Sequence, residues 1–117
     1  GSGHPDYVNA VAEVRTKRGA YELLRELFAI EREFGRERKT KWEPRALDLD
    51  LIDYGGLVSD APQLSLPHPW MHERAFVLRP LADIAPAWRH PDTGQSVRDL
   101  LKIVGEEGVK RFDMVQL

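Results

Sequence analysis

A chain of 117 residues has room for one domain around one hydrophobic core. Its 42% hydrophobic and 31% charged residues are ordinary for a globular protein, and a net charge of −2 argues against a general binder of nucleic acid or membrane surfaces. Without cysteine, disulfides and thiolate metal sites are excluded. No apolar run nears the ~18 residues of a membrane span and no signal peptide is visible, so a cytoplasmic location is the default expectation.

Residues 1–4 read as a tag or loop remnant, and residues 5–117 as one domain. Residues 7–16 are rich in small and β-branched side chains with no helix cap before them, which predicts a strand. Asn9 in its middle is unfavourable for a strand and points to a ligand. Over 19–34, Ala20, Leu23, Leu24, Leu27, Phe28, Ile30 and Phe34 recur mostly at helical spacing, and Gly35 stops the helix. A charged connection follows over 36–45. Residues 46–54 read as a second strand, closed by the turn signal Gly55-Gly56. Residues 57–69 are irregular, with three prolines and a short pairing stretch at Leu64-Ser65-Leu66. Residues 70–84 are helical in two pieces, with Pro80 as a break or first-turn residue. Turns fill 86–94, and Ser96 caps a helix to about Val104. Phe112, Met114 and Gln116-Leu117 suggest a final strand or tail. The order β-α-β-loop-α-α-β is an α+β arrangement, and its first strand–helix–strand predicts a right-handed crossover with parallel strands.

The stretch Leu47 to Leu51 carries the most chemistry. Strand side chains alternate, so Asp48 and Asp50 share one face, their Cα atoms roughly 6.5–7 Å apart, while the leucines face a core. Arg36, Arg38, Lys39, Lys41 and Arg45 lie close in sequence. Mg²⁺ with a polyphosphate would satisfy both charge sets: carboxylates take the metal, the metal takes phosphate oxygens, and the cations neutralise the rest. Each feature also has a plainer reading. The two aspartates alone fit a solvated strand face, part of the basic run fits a solvated loop, and Trp42 and Phe76 fit core aromatics. Trp70 and Trp88 are read as packing residues, and His4, His72 and His90 as surface residues.

One ordered series joins these residues. It runs Pro5-Asp6-Tyr7-Val8-Asn9-Ala10, Glu31, Gly35-Arg36-Glu37-Arg38, and Trp42-x-Pro44-Arg45-x-x-Asp48-Leu49-Asp50. It ends Leu66-Pro67-His68-x-x-Met71-x-x-Arg74-x-Phe76-Val77-Leu78-x-Pro80-Leu81. The series closely resembles the 6-hydroxymethyl-7,8-dihydropterin pyrophosphokinases of folate biosynthesis. The resemblance implies transfer of the β,γ-pyrophosphoryl group of ATP, the co-substrate, to the hydroxymethyl group of the pterin, with two Mg²⁺ ions. It implies metal ligation by Asp48 and Asp50 and phosphate contacts from Arg36, Arg38, Arg45 and Arg74 with Lys39 or Lys41. Arg36 and Arg45 join the two aspartates as catalytic residues. It sets His68 at the nucleotide and Glu31 near the adenosine. Asn9, with Tyr7, would meet the pterin edge, and Trp42 and Phe76 its ring faces. Arginine forks suit phosphate oxygens, and a flat polar heteroaromatic suits stacking faces with an amide that donates and accepts.

Two positions depart from the family pattern. Glu43 stands where a glycine usually precedes the proline, and Phe28 stands where a hydrogen-bonding residue is frequent near the nucleotide. The family's first strand–helix–strand and mobile loop are also not in these residues. The resemblance implies a ferredoxin-like layered sheet whose first strand lies between 7–16 and 46–54, and each unpaired buried polar group there would cost about 1–3 kcal/mol. The expectation is that this segment lies outside the sequence, comes from another chain or a swapped dimer, or that the fold has rearranged. The competing function is an inactive nucleotide- or pterin-binding or strand-exchanging assembly module. A third, an RNA-binding α+β module, fits the acidic balance poorly. Neither nucleic acid nor membrane is an expected partner.

Overall fold

The computed structural model describes residues 8–35 and 47–109. Their order is helix α1 (Ala20–Gly35), strand β1 (Ser59–Ala61), strand β2 (Leu64–Leu66), a 3-10 turn (Met71–Glu73), helix α2 (Ala75–Ile84) and helix α3 (Val97–Val104). The chain divides into two compact units, one holding Arg15–Pro69 and the other Trp70 onward together with the N-terminal segment to Val14.

In the first unit, α1 begins where the Leu23 N–H donates to the Gly19 carbonyl at 2.9 Å. Its apolar stripe is only partly covered: Leu23, Leu24, Leu27 and Ile30 are half-buried, whereas Phe28 and Phe34 are exposed. Tyr54 ties the end of segment 47–54 to the residues before α1, its hydroxyl donating to the Arg18 carbonyl at 2.6 Å. Gly55 and Gly56 both have positive φ, 56° and 81°, and the Asp53 carboxylate accepts from the Gly56 N–H at 3.2 Å. A side chain at either glycine would strain this turn. β1 and β2 form an antiparallel hairpin with Ser59 opposite Leu66 and Ala61 opposite Leu64. Pro62-Gln63 makes its two-residue loop, with no positive φ at either position, so Pro62 serves at the first central position of an ordinary turn. Leu64 and Leu66 are buried with Ala20, and Leu24, Leu51 and Tyr54 pack against them. The Leu66–Pro67 peptide is cis.

In the second unit, α2 packs on α3. Met71, Leu78 and Val97 are fully buried, joined by Leu81, Ala82, Leu100 and Leu101. Ser96 caps α3 as its sequence predicts, its hydroxyl accepting from the Asp99 N–H at 3.1 Å. Arg79 bridges Asp83 at 2.9 Å and Glu106 at 3.2 Å, and these hydrogen bonds, the Asp83 one first, raise its pKa above the ordinary value.

Several sequence expectations need correction. Segments 8–16 and 47–53 are not strands. A strand exists only by its ladder to a neighbour, and the alternating pattern of a segment cannot supply one. The α+β class stands, but among the described residues the β structure is the β1–β2 hairpin with one bridge between Arg89 and Ser96, and no layered ferredoxin-like sheet is found among them. Pro80 is not the break: the chain is extended at Arg74 (φ −117°, ψ 102°), and Pro80 lies inside α2. Proline forfeits one helical hydrogen bond there, which the burial of Leu78, Leu81 and Ala82 around it offsets. Trp70 is 57% exposed rather than packed. His90 is buried, not on the surface, and its Nδ1 accepts from the Thr93 and Asp92 N–H groups at 3.1 and 3.3 Å. The predicted final strand lies outside the described residues.

Candidate functional site

Within the Arg15–Pro69 unit an open cleft of about 210 Å³ lies among α1, residues 49–51 and the chain from Pro62 to Pro69. Leu24 and Phe28 of α1 form one wall. They sit one helical turn apart, and Glu31 continues the same face three residues on. Leu64 and Leu66 of β2 supply apolar floor, with Gln63 and Ser65 adding polar groups. Asp50 and His68 complete the lining. Apolar walls with few polar groups suit a flat ligand with a polar rim.

Segment 47–50 keeps the side-chain alternation its sequence predicts, although it makes no ladder. Leu47 and Leu49 are half-buried while Asp48 and Asp50 are exposed. Hydrogen bonds hold this segment and the residues that follow it. The Leu49 N–H donates to Glu31 Oε2 at 2.7 Å, and the His68 N–H donates to the Ile52 carbonyl at 2.8 Å. The first is a charge-assisted bond to a half-buried helix residue, eighteen positions away in sequence. The same short segment thus presents two carboxylates and is tied down by Glu31 and by the residue His68.

Two exposed carboxylates are hard oxygen donors. They fit Mg²⁺, which keeps several coordination positions for phosphate oxygens and water, better than a softer ion that prefers imidazole or thiolate. Among the described residues no group of three or more His, Cys, Asp or Glu side chains is placed to hold a metal by protein alone. The donor set therefore suits a metal that arrives with a phosphate ligand.

The remaining predicted residues fall in two groups. Arg74 and Phe76 belong to the second unit, where the Arg74 guanidinium lies over the Phe76 ring at 5.7 Å and Phe76 is 42% exposed. Asn9 is exposed on the segment preceding Val14. Tyr7, Arg36, Arg38, Lys39, Lys41, Trp42 and Arg45 lie outside the described residues. Sequence reasoning missed the cleft roles of Leu24, Gln63 and Ser65. In sequence Leu24 reads as part of the apolar stripe of α1, and its spacing to Phe28 and Glu31 is the available signal. Gln63 and Ser65 carried none, because their placement depends on the hairpin register.

Comparison with known proteins agrees with the motif series. The family model described as 7,8-dihydro-6-hydroxymethylpterin-pyrophosphokinase matches residues 2–86. The chain is similar to the 2-amino-4-hydroxy-6-hydroxymethyldihydropteridine pyrophosphokinase of Synechocystis, with 47% identity over 104 residues that cover 89% of this chain and 53% of that protein. The Pseudomonas aeruginosa protein of the same name is 47% identical over 108 residues, 92% of this chain and 66% of the relative. That of Haemophilus influenzae is 44% identical over 98 residues, 84% and 61%. The chain spans about half to two thirds of the length of these relatives. No helix among the described residues is long and apolar enough to cross a membrane.

Proposed function

This chain belongs to the 7,8-dihydro-6-hydroxymethylpterin-pyrophosphokinase family, and from that premise we propose that it carries nucleotide, metal and pterin contacts of a pterin pyrophosphokinase of folate biosynthesis. In this reading the cleft takes the adenosine of ATP between Phe28 and the β2 leucines, with His68 at its rim. The observation that carries the reading is the position of Asp50, which both lines the cleft and stands one alternation from Asp48 on the exposed side of the same segment.

The reaction is a displacement at phosphorus. The pterin hydroxymethyl oxygen forms a bond to the β-phosphorus of ATP, the bond from that phosphorus to the bridging oxygen of the α-phosphate breaks, AMP leaves, and the hydroxyl proton passes to solvent or a base. Such a transfer asks the protein for in-line positioning and charge neutralisation more than for covalent chemistry. Asp48 and Asp50 are the residues that would hold Mg²⁺, two ions in the family expectation; when bound, Mg²⁺ neutralises phosphate charge. Arg36, Arg38, Lys39, Lys41, Arg45 and Arg74 are the proposed phosphate contacts, and Tyr7, Asn9, Trp42 and Phe76 the proposed pterin contacts. A second reading, strand exchange with another chain, draws on segment 8–16, which has no helix and is in no ladder; a concentration-dependent dimer in sedimentation would support it, and a monomer at all concentrations would remove it.

Titration of the full chain with a non-hydrolysable ATP analogue, with and without Mg²⁺, tests the first reading. Binding should require Mg²⁺ and weaken about tenfold or more in the Asp48→Asn, Asp50→Asn double variant. Mg²⁺-dependent binding that survives both changes would remove the site assignment.

A further inference from the structure

Glu31 is one of the residues that resemblance sets beside the adenosine, and it also makes a backbone contact within the chain. Its Oε2 accepts the N–H of Leu49, the residue between Asp48 and Asp50, at 2.7 Å. An extended segment normally satisfies its amides through a neighbouring strand. Segment 47–53 has no ladder, so its course depends on packing and discrete bonds, and among the described residues the bond from Glu31 to Leu49 is placed between the two carboxylates. In extended chain, the orientation of one peptide sets the directions in which the side chains on either side of it point. Leu49 and Leu51 line the cleft on the same stretch, and Leu51 also packs on the Leu64–Leu66 core, so the segment has a fixed base from which the carboxylates project. Oxygen ligands for a small cation must be held to within about 0.5 Å to be useful.

We infer that Glu31 is a positioning residue: by holding the Leu49 amide from α1, its carboxylate aims Asp48 and Asp50 together at a divalent cation. This rests on the reading that these two aspartates take the metal. The residue acts through the backbone, so what matters is an oxygen acceptor at position 31, with its negative charge secondary. Glutamine keeps an acceptor and loses the charge, whereas alanine loses both, and the two substitutions separate the roles.

Two measurements on the full chain test it. The first is amide hydrogen exchange of Leu49 by NMR in the unsubstituted protein. Exchange at least about tenfold slower than an unprotected amide is expected; exchange at the unprotected rate overturns the inference with no variant needing to fold. The second is Mn²⁺ affinity, read by electron paramagnetic resonance in the presence of a non-hydrolysable ATP analogue. Glu31→Ala should weaken Mn²⁺ about tenfold or more, while Glu31→Gln should stay within about threefold of the original. Equal losses in both variants overturn the inference in favour of a direct charge contact. If Asp48→Asn abolishes Mn²⁺ binding while Glu31→Ala leaves it unchanged, the inference falls and the metal reading stands. If Mn²⁺ binding ignores Asp48→Asn, the metal reading falls and takes the inference with it.

Discussion

The helical unit from Trp70 and the cleft unit from Arg15 to Pro69 differ in what they bury. Among the described residues the fully buried large side chains, Met71, Leu78 and Val97, belong to the helical unit. The cleft unit buries Ala20, Leu64 and Leu66, and leaves Tyr21, Phe28 and Phe34 about half exposed. Its segment 47–54 is ordered by the packing of Leu51 and Tyr54 on that small core together with specific bonds: Glu31 to Leu49, His68 to Ile52, and Tyr54 to Arg18. Core packing is nondirectional and tolerant, whereas such bonds fix individual groups in direction. The contrast is one of core size: the helical unit holds the larger buried core, and the candidate site lies in the unit with the smaller one. Regions with few buried contacts are also those that a ligand can most readily order.

The largest expected effect that would break this comparison is in the helical core. Leu78→Ala should cost about 2–5 kcal/mol in urea unfolding, as for other fully buried leucines. Leu24→Ala, on a half-buried position of the cleft unit, should cost roughly half as much or less because less area leaves water on folding. Equal costs would mean that the two units are packed alike. Next, the ATP analogue with Mg²⁺ at about one hundred times its dissociation constant should stabilise the chain by ~2.7 kcal/mol. Hydrogen exchange should slow over 47–54 and leave α3 unchanged; uniform slowing would merge the two units into one cooperative body. A smaller effect is expected from Ser96→Ala, which removes the acceptor of the Asp99 N–H and should lower stability by about 1 kcal/mol through fraying of α3. The smallest is Arg79→Met. Its pairs with Asp83 and Glu106 are exposed, so thermal unfolding should report a change under about 1 kcal/mol, and high salt should erase it.

What the sequence made legible follows the range of the interaction. Helix α1 was expected over 19–34 and forms over Ala20–Gly35, since its periodic stripe and terminal glycine are local signals. Helix α3 begins just after Ser96 because a cap acts within three residues. The side-chain alternation of Leu47, Asp48, Leu49 and Asp50 was equally readable, and it places both carboxylates on the exposed side. The pairing stretch Leu64-Ser65-Leu66 is readable as well and forms β2 of the hairpin. The ladders expected of 7–16 and 46–54 are not, because such pairing requires a distant partner and alternation says nothing about which one. For the same reason the Glu31 to Leu49 bond could not be foreseen: it joins positions eighteen apart, and only the fold brings the α1 face to that amide. Family membership came from ordered motifs, which record chemistry directly. The cleft came from the hairpin register that sets Gln63, Leu64, Ser65 and Leu66 along it.

The central claim is that the nucleotide lands in the cleft of the Arg15–Pro69 unit. Amide NMR spectra of the labelled full chain, recorded with a non-hydrolysable ATP analogue and Mg²⁺, test it most directly. The largest shifts are expected at Phe28, Leu49, Asp50, Leu51, Ser65 and His68, with the amides of Val97–Val104 unmoved. Shifts confined to Val97–Val104, or no shift anywhere at saturating analogue, would contradict it.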